Sequence, residues 1–333
     1  MPVKILMALA LCLAPCLVLS HDRTDNAHGD IETLSPYIQN ISVTVVAENG
    51  PLSGEGSGIL KTRKMGKDNV TFVWTAAHVV SHLRQVRTVI DPKTGTSKNV
   101  VEYADAKVLR SGNQDGRVVE EHRMLAEVIR FSADHDIALL RIRKKNYTTA
   151  SVKFYLDEKI PIAGKHLWHM GSLLGNVGGN SMTDGIMSHP GRVLNKVVYD
   201  QSTVAAFPGS SGGGVYLDDG RCIGQIVRGA GETFNLITPV RRMREWAKTA
   251  NILWALDDAA PMITEEELKR LPVDDIGVNF SYSVRADSPK LPGLPASGGY
   301  TTERIGTGSP HLGELENAWP VHLRLLRNDN RGK

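Results

Sequence analysis

The chain is poor in cysteine: three in 333 residues, Cys12, Cys16 and Cys222. The first two fall in an apolar leader, so a single thiol remains beyond it and an intrachain disulfide framework is excluded there. Cys222 sits in an apolar stretch and reads as a buried structural thiol. Charge of one sign is also lacking. The net charge is +3, and Lys and Arg alternate with acids throughout, which excludes the basic footprint of a nucleic-acid partner. The one short basic cluster, 141–145, reads as a solvated strand end. The apolar run Ile5 to Leu19 behind Lys4 is too short for a comfortable membrane span. It matches a secretory signal peptide over residues 1–20 with cleavage after Ser20, and so predicts a secreted or periplasmic chain with no stable membrane span. A lipidated, membrane-anchored start at Leu13-Ala14-Pro15-Cys16 is the competing reading, but proline before the cysteine makes a poor attachment box. The remainder, in a chain 41% hydrophobic and 23% charged, is long enough to bury a full core with residues to spare.

What the chain does have is glycine around a serine: Pro208-Gly209-Ser210-Ser211-Gly212-Gly213-Gly214. Upstream stand Thr75-Ala76-Ala77-His78 and Asp136-Ile137-Ala138-Leu139-Leu140. A serine hydroxyl is a weak nucleophile at neutral pH. It needs an imidazole to take its proton, a carboxylate to orient that imidazole, and backbone N–H groups to hold the oxyanion. His78 follows the β-branched and aromatic run Val70-Thr71-Phe72-Val73-Trp74-Thr75, a core strand ending in a short turn. Asp136 directly precedes an apolar strand, whereas the adjacent alternatives Asp134 and His135 do not. Ser211 is the candidate nucleophile, and Gly209 allows two N–H groups of the loop, those of Gly209 and Ser211, to point at one spot. Taken singly, a histidine after a strand is most often a satisfied core residue and a Gly-Ser stretch a linker. Three such signals in the order His, Asp, Ser, each in its strand context, point to a catalytic triad of His78, Asp136 and Ser211.

These segments resemble the trypsin-like, chymotrypsin-fold serine proteases, and within them the Deg/HtrA branch. Gly54-Glu55-Gly56-Ser57-Gly58-Ile59-Leu60, Gly185-Ile186-Met187-Ser188, 201–213, 221–227 and 236–240 extend the likeness over about residues 40 to 250. The resemblance implies an all-β fold of two six-stranded antiparallel β-barrels with a C-terminal helix, and peptide-bond hydrolysis through an acyl-enzyme. It implies protein or peptide substrates and no cofactor, and it leaves homo-oligomerisation open. It also implies a specificity pocket walled by Ala205, Ala206 and the edge strand with Val227, Arg228 and Gly229, floored near Asn235. Ala205 stands where an aspartate would select Arg or Lys, so a small or medium apolar residue before the cut is expected. Arg228 either leans over the pocket mouth and favours acidic neighbours or is a solvated rim residue. Ser210 replaces the aspartate that ties down a freed amino terminus in digestive relatives, so activation by that cleavage is not expected. Val227 replaces a hydroxyl that many relatives place near the catalytic carboxylate, and no PDZ pattern follows the protease region. A non-catalytic scaffold on the same fold, or an adhesion protein whose tail carries the function, are the alternatives.

Along the chain, 21–40 reads as a flexible segment, 41–250 as the protease domain (barrel one about 41–150, barrel two about 151–250), and 251–333 as a largely extended or disordered extension. Within these, 240–248 has helical spacing and Thr264-Glu265-Glu266-Glu267 is a capping box. His166 and His169 on one strand face opposite ways with no third ligand, so no metal site is expected.

Overall fold

The computed structural model describes residues 31–273, apart from 91, 94, 96, 115–116 and 230–232. The leader 1–20, residues 21–30 of the segment read as flexible, and the extension past 273 lie outside the described residues.

A short helix α1 (Ile31–Asn40) precedes β1 (Ser42–Asn49), β2 (Leu52–Met65) and β3 (Asp68–Thr75). The one-turn helix α2 (Ala77–Val80), the hairpin β4 (Arg84–Ile90) and β5 (Ser97–Tyr103), and the long strands β6 (Ala106–Gln114), β7 (Arg117–Ser132) and β8 (Ile137–Ile142) follow. Six of these close an antiparallel barrel in the order β1-β2-β3-β8-β7-β6. A second barrel, in the order β10-β11-β14-β13-β12-β9, is built from β9 (His166–Leu173), β10 (Gly178–Leu194), β11 (Val197–Ser202), β12 (Gly214–Tyr216), β13 (Cys222–Gly229) and β14 (Asn235–Pro239). The expected two-barrel, all-β fold is therefore present.

Alternation along β1 shows how the barrels meet. Val43, Val45 and Ala47 point into the first core, yet Thr44 on the opposite face is buried as well, its hydroxyl 2.5 Å from that of Ser172 in β9. The strand is buried on both faces, and Ile41 to Val46 carries only the small hydroxyl residues Ser42 and Thr44 among its β-branched apolar ones. The main core gathers Ile59, Leu60, Phe72, Trp74 and Leu139, none of them accessible, each worth about 1.5–3 kcal/mol when fully buried. Leu167, Val204, Val215, Ile223 and Ile237 form the second core.

Three features depart from the expected organisation. The segment read as flexible is helical over Ile31–Asn40, because Leu34 and Ile38 bury one face and Tyr37 binds the inter-barrel crossover: its hydroxyl accepts from Lys153 N–H at 3.1 Å. The hairpin of β4 and β5 is an added two-stranded sheet. After the anticipated helix α3 (Val240–Thr249), residues 251–273 are a packed strap rather than an extended tail. The strap ends in α4 (Glu265–Arg270), whose Thr264 and Glu267 form the capping box the sequence announces. It lies on barrel one: Trp74 Nε1–H donates to Ala255 O at 2.8 Å, and Arg141 makes two 2.8 Å bonds to the Glu265 carboxylate.

Candidate active site

Strands β3 and β8 pair with Thr75 opposite Ala138, so the residues leaving β3 and those entering β8 emerge at one rim of the barrel. His78 in α2 and Asp136 in the turn before β8 meet there. His78 Nδ1–H lies 2.9 Å from Asp136 Oδ2 and 3.0 Å from Oδ1, and the His78 backbone N–H also donates to Oδ1 at 3.0 Å. With the proton held on Nδ1, Nε2 is the basic nitrogen. Asp136 adopts φ 51°, the left-handed region that aspartate tolerates better than most residues, and this turns its side chain back toward His78. Gln225, fully buried on β13, braces both segments by donating from Nε2 to Thr75 O at 3.1 Å and Asp136 O at 3.4 Å.

Burial opposes the imidazolium form of His78, but the charge and hydrogen bond of Asp136 outweigh it and hold the ring above the ordinary value of 6.5; Arg228 pulls weakly the other way. For Asp136, burial favours the neutral acid, yet the His78 charge and hydrogen bonds, with a contribution from Arg228, bring it below 3.8. The pair is thus held as carboxylate and a readily protonated imidazole.

Ser211 lies in the loop between β11 and β12, packed against the turn that carries His78. A Cβ on Gly212 would fall 2.8 Å from Ala76 N and 2.2 Å from Ser57 O, and at φ +87° only glycine is at ease. Four consecutive carbonyls of this loop are held. Pro208 O accepts Leu174 N–H at 2.7 Å, Gly209 O accepts the Ser57 hydroxyl at 2.6 Å, Ser210 O accepts Gly213 N–H at 2.9 Å, and Ser211 O accepts Ser57 N–H at 2.7 Å. In a trans peptide the N–H points opposite the carbonyl. Fixing the Pro208 and Ser210 carbonyls therefore turns the N–H groups of Gly209 and Ser211 to the other side, and among the described residues no backbone acceptor takes either.

Around the expected pocket the residues fall into two groups. Ala205 and Ala206 are partly exposed, with Ala205 O accepting the Thr183 hydroxyl at 2.8 Å. Asn235 is fully buried and donates from Nδ2 to Val204 O at 2.7 Å, while a Cβ on Gly229 would meet its Oδ1 at 2.3 Å. Val227 differs: at 2% exposure its side chain packs into the core. Arg228 and Gly229 are exposed. His166 pairs with Asp218 at 2.7 Å, and His169 is fully buried, donating from Nδ1 to Gly214 O at 3.0 Å.

Ser57, Leu174 and Gln225 escaped the sequence reading. Ser57 had a signal, a hydroxyl set between two glycines, Gly56 and Gly58; Leu174 acts through its backbone, which leaves no side-chain trace.

A sequence model described as the trypsin-like peptidase domain matches residues 56–224, just over half of the chain. The chain belongs to the trypsin-like peptidases. Among curated relatives of this family, the serine protease Do-like HtrA of Lactobacillus helveticus is 29% identical over 185 residues, covering 54% of this chain and 37% of that protein. The chain thus spans well under half the length of the curated relative it matches. Similar solved structures include the serine endoprotease from Yersinia pestis (TM-score 0.49, 15% identity, 68% of this chain and 67% of that one). An HtrA-type protease with a tripeptide is similar too (TM-score 0.49, 17% identity, 67% and 64%).

Proposed function

We propose that this trypsin-like peptidase family member is a serine endopeptidase working through Ser211, His78 and Asp136. His78 Nε2 takes the Ser211 proton as Oγ attacks the scissile carbonyl. Asp136 holds the ring and balances the imidazolium that forms, and the N–H groups of Gly209 and Ser211 receive the oxyanion. Collapse gives the leaving amine its proton from His78 and leaves an acyl-enzyme, which water cleaves by the reverse sequence. The observation that carries this reading is the two-point grip of His78 on Asp136, facing a serine loop whose carbonyls are pinned away from one side.

Substrate docking follows from the edge of β13. Ile226 exchanges bonds with the serine loop, its O accepting Gly212 N–H at 2.7 Å and its N–H donating to Gly213 O at 2.9 Å. Beyond it, Val227 is bulged, Arg228 and Gly229 pair with β14 on one side, and none of the three has a strand on the other among the described residues. An extended peptide can add there as a further strand, its main chain giving affinity and the Ala205, Ala206, Gly229 and Asn235 pocket selecting the residue before the cut. Without a buried counter-charge, that residue is small or medium and apolar. The leader read in residues 1–20 supports action outside the cytoplasm, and among the described residues no helix is long and apolar enough to cross a membrane.

The test is reaction of the full-length protein with a fluorophosphonate, alongside peptide turnover. Native protein should label at a single site, and Ser211→Ala should neither label nor turn over, a loss of about 10³-fold or more. A native chain that fails to label would instead be a binding module on this fold.

A further inference from the structure

Arg228 is the charged side chain that the docking edge presents to whatever binds there. The pairing of β13 with β14 slips by one between Ile226 and Arg228. Ile226 and Val227, at 2% exposure each, pack into the two separate cores, and past this bulge Arg228 comes out beside a glycine. Bulges next to active sites commonly re-aim a side chain in this way.

Other arginines of the second barrel are satisfied. Arg241 is paired with Asp200, Arg221 with Asp157 and Asp219, Arg192 with the Gln201 amide, and Arg242 donates to the carbonyls of Asp134 and His135. No carboxylate among the described residues pairs with Arg228. Its position is also close to the chemistry: two residues on from Ile226, which bonds the serine loop directly, is about 6.6 Å along a strand. From there its charge is felt by both His78 and Asp136.

On the reading proposed above, we infer that Arg228 is a specificity-determining residue that selects a carboxylate side chain on the residues preceding the scissile bond. The pocket wall and the open edge belong to the same strand, so the acyl side of the peptide runs past Arg228. A substrate carboxylate there gains an ion pair. It also cancels a positive charge that opposes imidazolium formation on His78, so the preference appears in kcat as well as in KM.

Two peptides test this with the full-length protein: both carry Val before the cut, and they differ only in Glu or Gln at the second to fourth residues before it. The Glu peptide should have the larger kcat/KM by about two- to fivefold at low ionic strength, the scale of an exposed ion pair, and the ratio should fall as salt rises. Arg228→Gln should bring the ratio to one, Arg228→Glu should invert it, and Arg228→Lys should keep it above one. A ratio of one in the native protein, or a ratio unchanged in Arg228→Gln, overturns the inference alone. Absence of any Ser211-dependent cleavage overturns the endopeptidase reading and this inference with it.

Discussion

The hydroxyl of Ser57, on barrel one, donates to the carbonyl of Gly209, on the serine loop of barrel two, at 2.6 Å. Ser57 Oγ in turn accepts Ser172 N–H at 2.7 Å, and the Ser57 N–H reaches Ser211 O at 2.7 Å. One fully buried residue of the first barrel thus holds the carbonyls on both sides of Ser210. The two barrels contribute more than opposite walls of a cleft: the first sets the peptide planes of the second.

Ser57→Ala follows directly. It leaves a buried carbonyl and a buried N–H without their partner, at a cost of about 1–3 kcal/mol. Because it frees the Gly209 carbonyl, in the peptide plane between the two whose N–H groups are assigned to the oxyanion, the loop loosens and kcat should drop about tenfold or more while KM changes little. Thermal unfolding and steady-state kinetics on small peptides measure both; unchanged kcat with a lowered midpoint would make Ser57 a packing residue only.

How much of this was legible beforehand depends on where each determinant is written. His78, Asp136 and Ser211 each stand beside a strong local signal, an apolar strand or a glycine cluster, so residue type and order sufficed to nominate them. Individual strands were legible because β-branched runs alternate with turn residues, whereas their closure into two six-stranded barrels came from the resemblance to the trypsin-like proteases. The Val227 bulge was invisible, since a one-residue slip depends on the partner strand. The strap at 251–273 was misread for a similar reason. What orders it is a set of backbone carbonyls taken by Arg63 and Trp74, whose roles are not written in the strap itself.

His78 and the buried His169 should act on pH in opposite directions. For turnover, His78 must be neutral to take a proton. Its value is raised, so the acid limb of the kcat/KM profile should fall above 6.5. For stability, a raised folded value means that the His78 contribution is fully present below 6.5 and is lost as pH rises through the folded value. His169 is the reverse case. Burial, offset only in part by its bond to Gly214, lowers it from 6.5 to about 4, so as pH falls from 6.5 to about 4 the unfolded chain gains a proton that the folded chain refuses. Stability should drop by about 3 kcal/mol across that window, at about 1.36 kcal/mol per pH unit. Unfolding midpoints of native and His169→Gln proteins from pH 4 to 8 check this: the variant should have the shallower acid-side slope, the carboxylates such as Asp136 supplying what remains.

Peptides with Val, Ala or Leu before the scissile bond should outpace those with Arg or Lys by about tenfold or more in kcat/KM. Ala205 and Ala206 offer apolar contact, and the fully buried Asn235 supplies an amide but no countercharge. A library profile dominated by Arg or Lys would sink the pocket assignment and leave the triad reading intact.

The strap makes the position of a C-terminal cut decisive. Arg63 donates to Trp254 O at 2.6 Å, Asp257 O at 2.8 Å and Ala260 O at 2.9 Å, and fully buried Lys61 finds its counter-charge in Asp258 at 2.8 Å. Burial depresses the Lys61 ammonium and Asp258 supports it, so deleting the strap leaves a cation in the barrel wall with only Val152 O at 3.1 Å. Breaking one side of such a pair costs about 3 kcal/mol or more, although the exposure of Asp258 reduces that figure. Truncation after residue 250 should therefore lower the midpoint by about 5–10 °C or more, and truncation after 260, which removes Glu265 from Arg141, by less. Truncation after 273 should leave both the midpoint and small-peptide turnover unchanged. Should the shortest form fail to fold, Asp258→Asn in the full-length chain isolates the Lys61 contribution, with a smaller shift of the same sign. Equal midpoints for the 250 and 273 forms would mean that the strap merely lies on the barrel, with no share in its stability.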